Sequence, residues 1–339
     1  MSVRVYAGPD AMRVLASQRR ELYAEDKSAT HYQSPAWLTG WARQLPRTAA
    51  PFVLAAMSAT GRILAALTLA RHDDADRPRI LPPSAPHAEC VRPVGPHADD
   101  PAIAQAPAFQ LLLADGLGAD VVITDVPTTG TLGSCLTLLC EDTGCDRATT
   151  ACAVTPMPLR YGSLPPSAQR AHANRIRTWS GLAHKRNITY TRTRHTQELL
   201  AASDVLYQLH QRPWEGHDPL PGSLRDGEAG AWQGVLRHLG TAHASIASLA
   251  VNGTVITAQL LLIGGARCYS LSLAINPVHH HRAPGHALMR LLVDDLTDEG
   301  FHALDLGRTS GPQLAFKRQY APQWTSRVPA LSTSHRVAA

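Results

Sequence analysis

No apolar run in the 339 residues approaches the roughly 18 that a membrane helix requires. The opening stretch, MSVRVYAGPD, lacks the apolar core of a secretory signal, so a cytoplasmic protein without a membrane span is expected. The six cysteines, at 90, 135, 140, 145, 152 and 268, form no CxxC pair and no zinc-like spacing. In a reducing compartment they are expected to be small buried hydrophobes. Three histidines in a row, His279 to His281, cannot converge on one ion, and an exposed loop is expected there rather than a metal site. The sequence shows no Ser-His-Asp or reactive-cysteine pattern, so a covalent intermediate is not expected.

A different absence concerns charge. Between Arg147 and Gln197 there is no Asp or Glu, while Arg147, Arg160, Arg170, Arg175, Arg177, Lys185, Arg186, Arg192 and Arg194 all fall there. The formal net charge is only +5, but a local concentration of one sign builds a field that attracts phosphates. Such a stretch is either a solvated basic face or the docking surface of an anionic partner, and its length favours the partner. The apolar fraction of 44% and charged fraction of 17% are those of a globular chain. Its length suits two domains of roughly 150 residues each.

What is present includes a repeat. PAWLTGWARQLPRTAAPFVLAAMSATGRILAALTLA, from Pro35 to Ala70, parallels GAWQGVLRHLGTAHASIASLAVNGTVITAQLLLI, from Gly230 to Ile263. Each opens with Ala-Trp on a helical pattern: Trp37, Leu38, Trp41 and Leu45 in the first, Trp232, Val235, Leu236 and Leu239 in the second. Each then offers an apolar strand, a tight turn at Gly61 or Asn252-Gly253, and a second apolar strand. Duplication of one α/β domain accounts for both. Beyond the second copy, the pattern predicts a strand over Cys268–Ile275, a loop, and a helix from Pro284 with Ala287, Leu288, Leu291, Leu292 and Leu296 on one side. Gly300 ends that helix, and a short strand at Leu304–Leu306 and a final strand from about Thr325 to Ser334 follow. The first copy continues through an irregular insertion at 71–105, a strand near Asp120 and a helix near Leu132. The expected division is residues 1–165 as the first domain, 166–198 as a basic bridge after the Pro165-Pro166 turn, and 199–339 as the second domain.

The second-copy loop contains Arg282-Ala-Pro-Gly285-His-Ala287, an R-x-x-G-x-A pattern at a strand-to-helix turn. Small residues there let backbone amides approach an anion, and a helix N-terminus adds partial positive charge. This resembles the pyrophosphate loop of the GNAT acyltransferase superfamily. Three more stretches are similar to Fem-type and BioF2-like transferases, which are tandem GNAT proteins: His31-YQSPAWLTGW, Val205-LYQLHQRPW and Leu304-DLGRTSG…FKRQY. Tyr320 stands where that family usually has tryptophan, and the first copy has no glycine-rich phosphate loop. The resemblance implies an α/β protein of two tandem GNAT-like domains, each a mixed sheet flanked by helices, with only the second holding the donor.

By the same resemblance, Lys317 stabilises the oxyanion formed when an amine attacks an activated carbonyl, a role that preorganised charge suits. On its residues alone, Lys317 is equally a lysine whose stem covers apolar surface while its amine reaches water. Asp305 is either the acceptor of the amine's proton or a structural hydrogen-bond acceptor, with His210 and Glu215 as other candidate bases. Arg282, Gly285, Ala287, Arg308 and Phe316 are expected at the donor. Arg175, Arg177, Lys185 and Arg186 are expected on RNA phosphates, and Trp37, Trp214, Glu215 and Tyr320 in the acceptor pocket.

The function expected is transfer of an aminoacyl group from aminoacyl-tRNA to the amine of a small soluble acceptor, forming an amide or, with a hydroxyl acceptor, an ester. The basic stretch favours tRNA, because neutralised phosphates supply much of such affinity. The phosphate-loop resemblance favours an acyl-CoA donor instead. A non-catalytic RNA-binding protein on the same scaffold is the third reading. No cofactor beyond the donor substrate is expected.

Overall fold

The computed structural model describes residues 1–17, 19–73, 78–85, 87, 89–103, 105, 119–128, 130, 132–134, 150–183, 186–212, 229–309 and 313–332. Two compact units emerge, one of Met1–Ala151 with Thr325–Ala339, the other Cys152–Trp324. The expected division at 165/166 and 198/199 followed the Pro165-Pro166 turn and the acid-free basic stretch, whereas the compact units follow strand pairing. Residues 166–198 fall within the second unit as a helix and a strand.

In the first unit, β1 (Ser2–Ala7), β2 (Ala49–Met57), β3 (Ile63–His72), β4 (Arg79–Leu81) and β5 (Asp120–Pro127) form a sheet in that order. All pairs are antiparallel except β4 with β5, which is parallel. Helices α1 (Pro9–Ser17), α2 (Arg19–Glu25) and α3 (Pro35–Ala42) belong to the same unit. Ser34 caps α3 by accepting from the Trp37 amide at 3.2 Å, and Pro35 suits the first helical turn, where its missing N–H costs nothing.

The second unit carries β6 (Thr150–Pro156), α4 (Pro166–Ala183), β7 (Ile188–Arg192), α5 (Thr196–His210) and α6 (Ala229–His243). After them come β8 (Ala244–Val251), β9 (Thr254–Gly264), β10 (Arg267–Ile275), α7 (Pro284–Asp298), β11 (Ala303–Arg308) and α8 (Gln313–Lys317). Its sheet runs β6-β11-β10-β9-β8-β7, again with one parallel pair, β10 with β11. Both expected hairpins are present, β2–β3 and β8–β9, turning at Gly61 (φ 81°) and at Asn252-Gly253 (φ 51° and 80°). Those left-handed conformations are the reason glycine and asparagine stand there. Trp37 and Trp232 sit near the starts of α3 and α6, both buried.

Each sheet takes one strand from the other half of the chain. The last strand, β12 (Gln323–Ser332), pairs antiparallel with β5 of the first unit, and β6 pairs antiparallel with β11 of the second. The expected final strand is therefore a component of the first unit. Of the helix expected near Leu132, only residues 132–134 are helical within the described residues.

The second core is built on α7, whose buried Leu288, Leu292 and Leu296 recur every fourth residue and meet Ala247, Leu249, Leu261 and Leu304. Gly300, at φ 83°, ends the helix as expected. Opposing α7 across the sheet, α5 and α6 pack on each other and α5 also packs on β9 and β10. Among the described residues, no helix is long and apolar enough to cross a membrane. Neighbouring residues on α7 give a direct test of this core. Leu292→Ala, at a position with no exposure, is expected to lower unfolding free energy by about 2–5 kcal/mol. Leu291→Ala, at a position expected on the same apolar side but 39% exposed, should change it by less than about 0.5 kcal/mol. Urea unfolding of the two variants beside the parent checks the contrast.

Candidate active site

Parallel pairing of β10 with β11 joins Arg267 to Ala303, Cys268 to Leu304 and Tyr269 to Asp305. Both strands continue, β10 to Ile275 and β11 to Arg308, each still held by its outer neighbour. β10 stays on β9 as far as the Ile275–Thr257 pair, through a bulge between Ser270 and Ser272, and β11 reaches Cys152 of β6 at Arg308. Past Tyr269 and Asp305 the strands therefore part, and the opening lies at their carboxyl ends, where open α/β sheets take ligands. Helix α7 starts at the same end, behind a 3-10 turn over Pro277–Arg282 and a left-handed Ala283 (φ 49°, ψ 54°).

The donor-side residues have distinct surroundings. Arg282 is half-buried, its Nε donates to His281 Nε2 at 3.0 Å, and its carbonyl accepts from Trp179 Nε1 at 3.1 Å. Gly285 is buried, and its neighbours give a packing reason for glycine there. A Cβ there would lie 3.1 Å from Ile275 Cδ1 and 3.3 Å from Leu273 Cδ2, so the glycine lets α7 sit close on β10. Ala287 and Phe316 pack against the core of this unit. Arg308 ends β11, and its carbonyl accepts from Lys317 Nζ.

Lys317 is only 9% exposed, so its amine is turned into the protein and away from bulk water. Asp305, 4% exposed, accepts the Gly307 amide at 2.8 Å through Oδ1 and thereby holds the turn within the end of β11. This is the structural half of its two expected roles. Phe316 and Tyr320, close to Lys317 in the chain, belong to an aromatic group that sequence reasoning only half found. Phe316, Tyr320 and His286 have ring centroids 4.6 to 5.6 Å apart. Tyr320 OH lies 2.8 Å from His286 Nδ1 and 3.2 Å from the His286 carbonyl. Burial, then the nearby Arg175 and His172, pull the His286 pKa down to about 3, so its ring is neutral. Burial also raises the Tyr320 pKa, which keeps its hydroxyl a donor. Tyr320 is thus a buried partner of His286, not an exposed pocket wall. His286 was visible only as the variable residue of R-x-x-G-x-A.

Trp37 is also unlike the pocket wall expected of it. It has no exposure, donates to Ser84 Oγ at 3.2 Å, and packs edge-on to His31, Tyr32 and Trp41 inside the first unit. The other two acceptor candidates, Trp214 and Glu215, lie outside the described residues, as does Lys185.

The acid-free stretch does not make a uniformly basic surface. Arg192 Nε reaches Asp295 Oδ2 at 2.7 Å and Arg192 also pairs with Glu299, while Arg194 pairs with the same two acids of α7 and its C-cap. Arg175 is half-buried against Gln319, and burial lowers its pKa. Arg170, Arg177 and Arg186 are exposed, Arg177 also meeting Asn174. His279 is held below its ordinary pKa, first by burial and then by Arg282, His281 and Arg186, which places the two arginines beside the start of α7.

On the α5 side of the sheet, His210 Nε2 lies 2.7 Å from Ser272 Oγ. His210 was one of the candidate bases, but nothing in the sequence pointed to Ser272 as its partner. Among the described residues, no group of three or more His, Cys, Asp or Glu is placed to hold a metal ion.

Residues 170–318 match the family model described as Acetyltransferase (GNAT) domain. No curated protein matches the chain. Among solved structures, FemX is 12% identical with a TM-score of 0.65 over 96% of both chains. A tandem GNAT protein from the clavulanic acid biosynthesis pathway is 13% identical, with a TM-score of 0.54 over 97% of this chain and 98% of that one. L-PGS from Bacillus licheniformis is 13% identical, with a TM-score of 0.53 over 93% of this chain and 91% of that one. The match over residues 170–318 and these likenesses agree: residues 170–318 are similar to a GNAT acetyltransferase domain, and the chain shares the fold of FemX and of the tandem GNAT protein.

Proposed function

We propose that the protein is an acyltransferase that moves an aminoacyl group from aminoacyl-tRNA to the amine of a small acceptor. The observation that carries acyl transfer is Lys317, a buried cation that donates to the carbonyl ending β11, the strand that parts from β10. An ammonium held in a low-dielectric site acts strongly on charge that develops there, and its position is set before reaction begins. Lys317 is thus the oxyanion stabiliser in this reading. The exposed Arg170, Arg177 and Arg186 support tRNA as the donor, in line with the Fem-type resemblance. A second reading, an acyl-CoA donor, is favoured by the cations grouped at the start of α7 and by the fold shared with the clavulanic acid pathway protein.

Lys317→Met keeps the stem and removes the charge. Turnover should fall about a hundredfold to a thousandfold. Stability should fall by about 1–3 kcal/mol, because the Arg308 carbonyl loses a donor. Lys317→Arg should recover part of the turnover, since it keeps the charge in a different shape. Rates with charged tRNA and with acyl-CoA, set beside thermal melting, decide the matter. Full turnover in the methionine variant would leave Lys317 a packing residue.

If tRNA is the donor, its binding should weaken steeply as salt rises. The triple variant Arg170→Glu, Arg177→Glu, Arg186→Glu should bind weakly and flatten the log–log salt slope by roughly two units. Consumption of acyl-CoA together with salt-independent tRNA binding would replace the tRNA reading with the second one.

A further inference from the structure

We propose that Gln259 and Ser270 form a polar subsite that accepts a hydrogen bond from the α-amine of the transferred aminoacyl group, so that the protein selects aminoacyl over unsubstituted acyl donors. This deepens the aminoacyl-transfer reading above and rests on it. Neither residue stands in a motif of the sequence, and they meet between neighbouring strands, 11 positions apart.

The pair sits where β10 leaves β11. Tyr269–Asp305 is the last pair of that ladder, and Ser270 is the next residue, half-buried. Gln259 of β9 is 1% exposed and donates from Nε2 to Ser270 Oγ at 2.5 Å. Its other carboxamide atom, Oε1, is buried and has no hydrogen-bond partner among the described residues. A carbonyl oxygen denied both water and a protein donor is costly to keep, and such a group in a native structure marks a missing partner. The carboxamide is planar and its Nε2 is pinned on Ser270, so Oε1 is held at the same point of the sheet. Ser270 Oγ in turn keeps its own proton and a lone pair for a group that enters from the opening.

The surroundings of the pair are apolar. Leu273 stands opposite Gln259 on β10, Leu261 stands opposite Ser270 on β9, and both pack in the core with α7. The first turn of α7 closes on Leu273, since a Cβ at Gly285 would lie 3.3 Å from its Cδ2. The partner required is therefore a hydrogen-bond donor that arrives with the substrate and fits beside two leucines. An α-amine, one carbon from the carbonyl that reacts, has that chemistry, and the methyl or methylene of an unsubstituted acyl group lacks it. An amide N–H of an acyl-CoA donor carries the same chemistry, and the experiment below separates the two sources.

A site built to hydrogen-bond an N–H discriminates strongly against the analogue without it, because the site's own polar groups are then left unpaired. Ser245 supplies a contrast. It stands opposite Leu261 on β8, is 1% exposed, and its Oγ also has no partner among the described residues. It is two strands away from β10, however, and so takes no part in the reading.

Charging tRNA with each of the twenty amino acids in turn identifies the one that the parent protein consumes. An acylating ribozyme then loads the same tRNA with the deamino analogue of that amino acid, which differs only in the α-amine. The parent should use the amino acid with a kcat/KM about a hundredfold above that of the analogue. Gln259→Leu should lose about a hundredfold with the amino acid and keep the parental rate with the analogue, which erases the preference. Ser270→Ala, which releases the carboxamide, should lose about tenfold with the amino acid alone. Ser245→Ala should leave both rates at the parental level. Melting curves show that each variant folds, and the preference of the parent needs no variant. Equal rates for amino acid and analogue in the parent overturn the subsite and leave aminoacyl transfer standing. Slowing of both substrates alike in Gln259→Leu also overturns it and makes Gln259 a packing residue. If acetyl-CoA is consumed in place of every charged tRNA, the aminoacyl reading falls and the α-amine assignment falls with it. A slower acetyl-CoA rate in Gln259→Leu would then assign Oε1 to the amide N–H of that donor.

Discussion

Two strands that begin side by side and then part set the terms for the second unit. β10 and β11 share only the pairs from Arg267–Ala303 to Tyr269–Asp305, yet each keeps its outer neighbour beyond that point, across one irregularity in each ladder. The outer ladders thus border the opening on both sides. The start of α7 follows β10, and Lys317 is held on the carbonyl that closes β11.

Charge is then distributed so that the opening keeps little of its own. His286 and His210 are neutral because burial opposes their protonation, and Tyr320 remains a phenol for the same reason. Lys317, also buried, donates to the carbonyl that closes β11, in surroundings whose low dielectric strengthens the effect of its charge. Elsewhere in the unit, ionic groups are spent on architecture. Arg192 and Arg194 hold β7 to the end of α7 through Asp295 and Glu299, and Tyr190 joins them by donating to Asp295 at 2.8 Å.

The sequence made the regular elements of the second unit legible because they obey local rules. Pro284, Gly300 and the leucines between them predict α7 within a residue or two, and the Gly61 and Asn252-Gly253 turns mark both hairpins. What it did not reveal depends on residues distant in the chain. The Ser272–His210 contact is of that kind, as is the pairing of Arg192 with Asp295, 103 positions away. Gly285 was recognised for backbone closeness to an anion, whereas the structure shows closeness to Ile275 and Leu273. One small residue serves either purpose, and only neighbours tell them apart. Trp37 was expected in the acceptor pocket, but its 0% exposure follows from a packing cluster with His31 and Trp41 that no local pattern encodes.

The exchange of β6 and β12 between the halves bears on the order in which the molecule can be completed. As the chain leaves the ribosome, the first sheet is present up to β5 long before β12 exists, and β5 waits with one side unpaired. The second unit, by contrast, has β6 available from the outset and can close as soon as β11 emerges. Amino-terminal domains ordinarily fold first during synthesis. Here the unit that begins the chain is the last to be finished, and until then β5 offers a bare strand edge of the kind that invites mispairing or the protection of a chaperone.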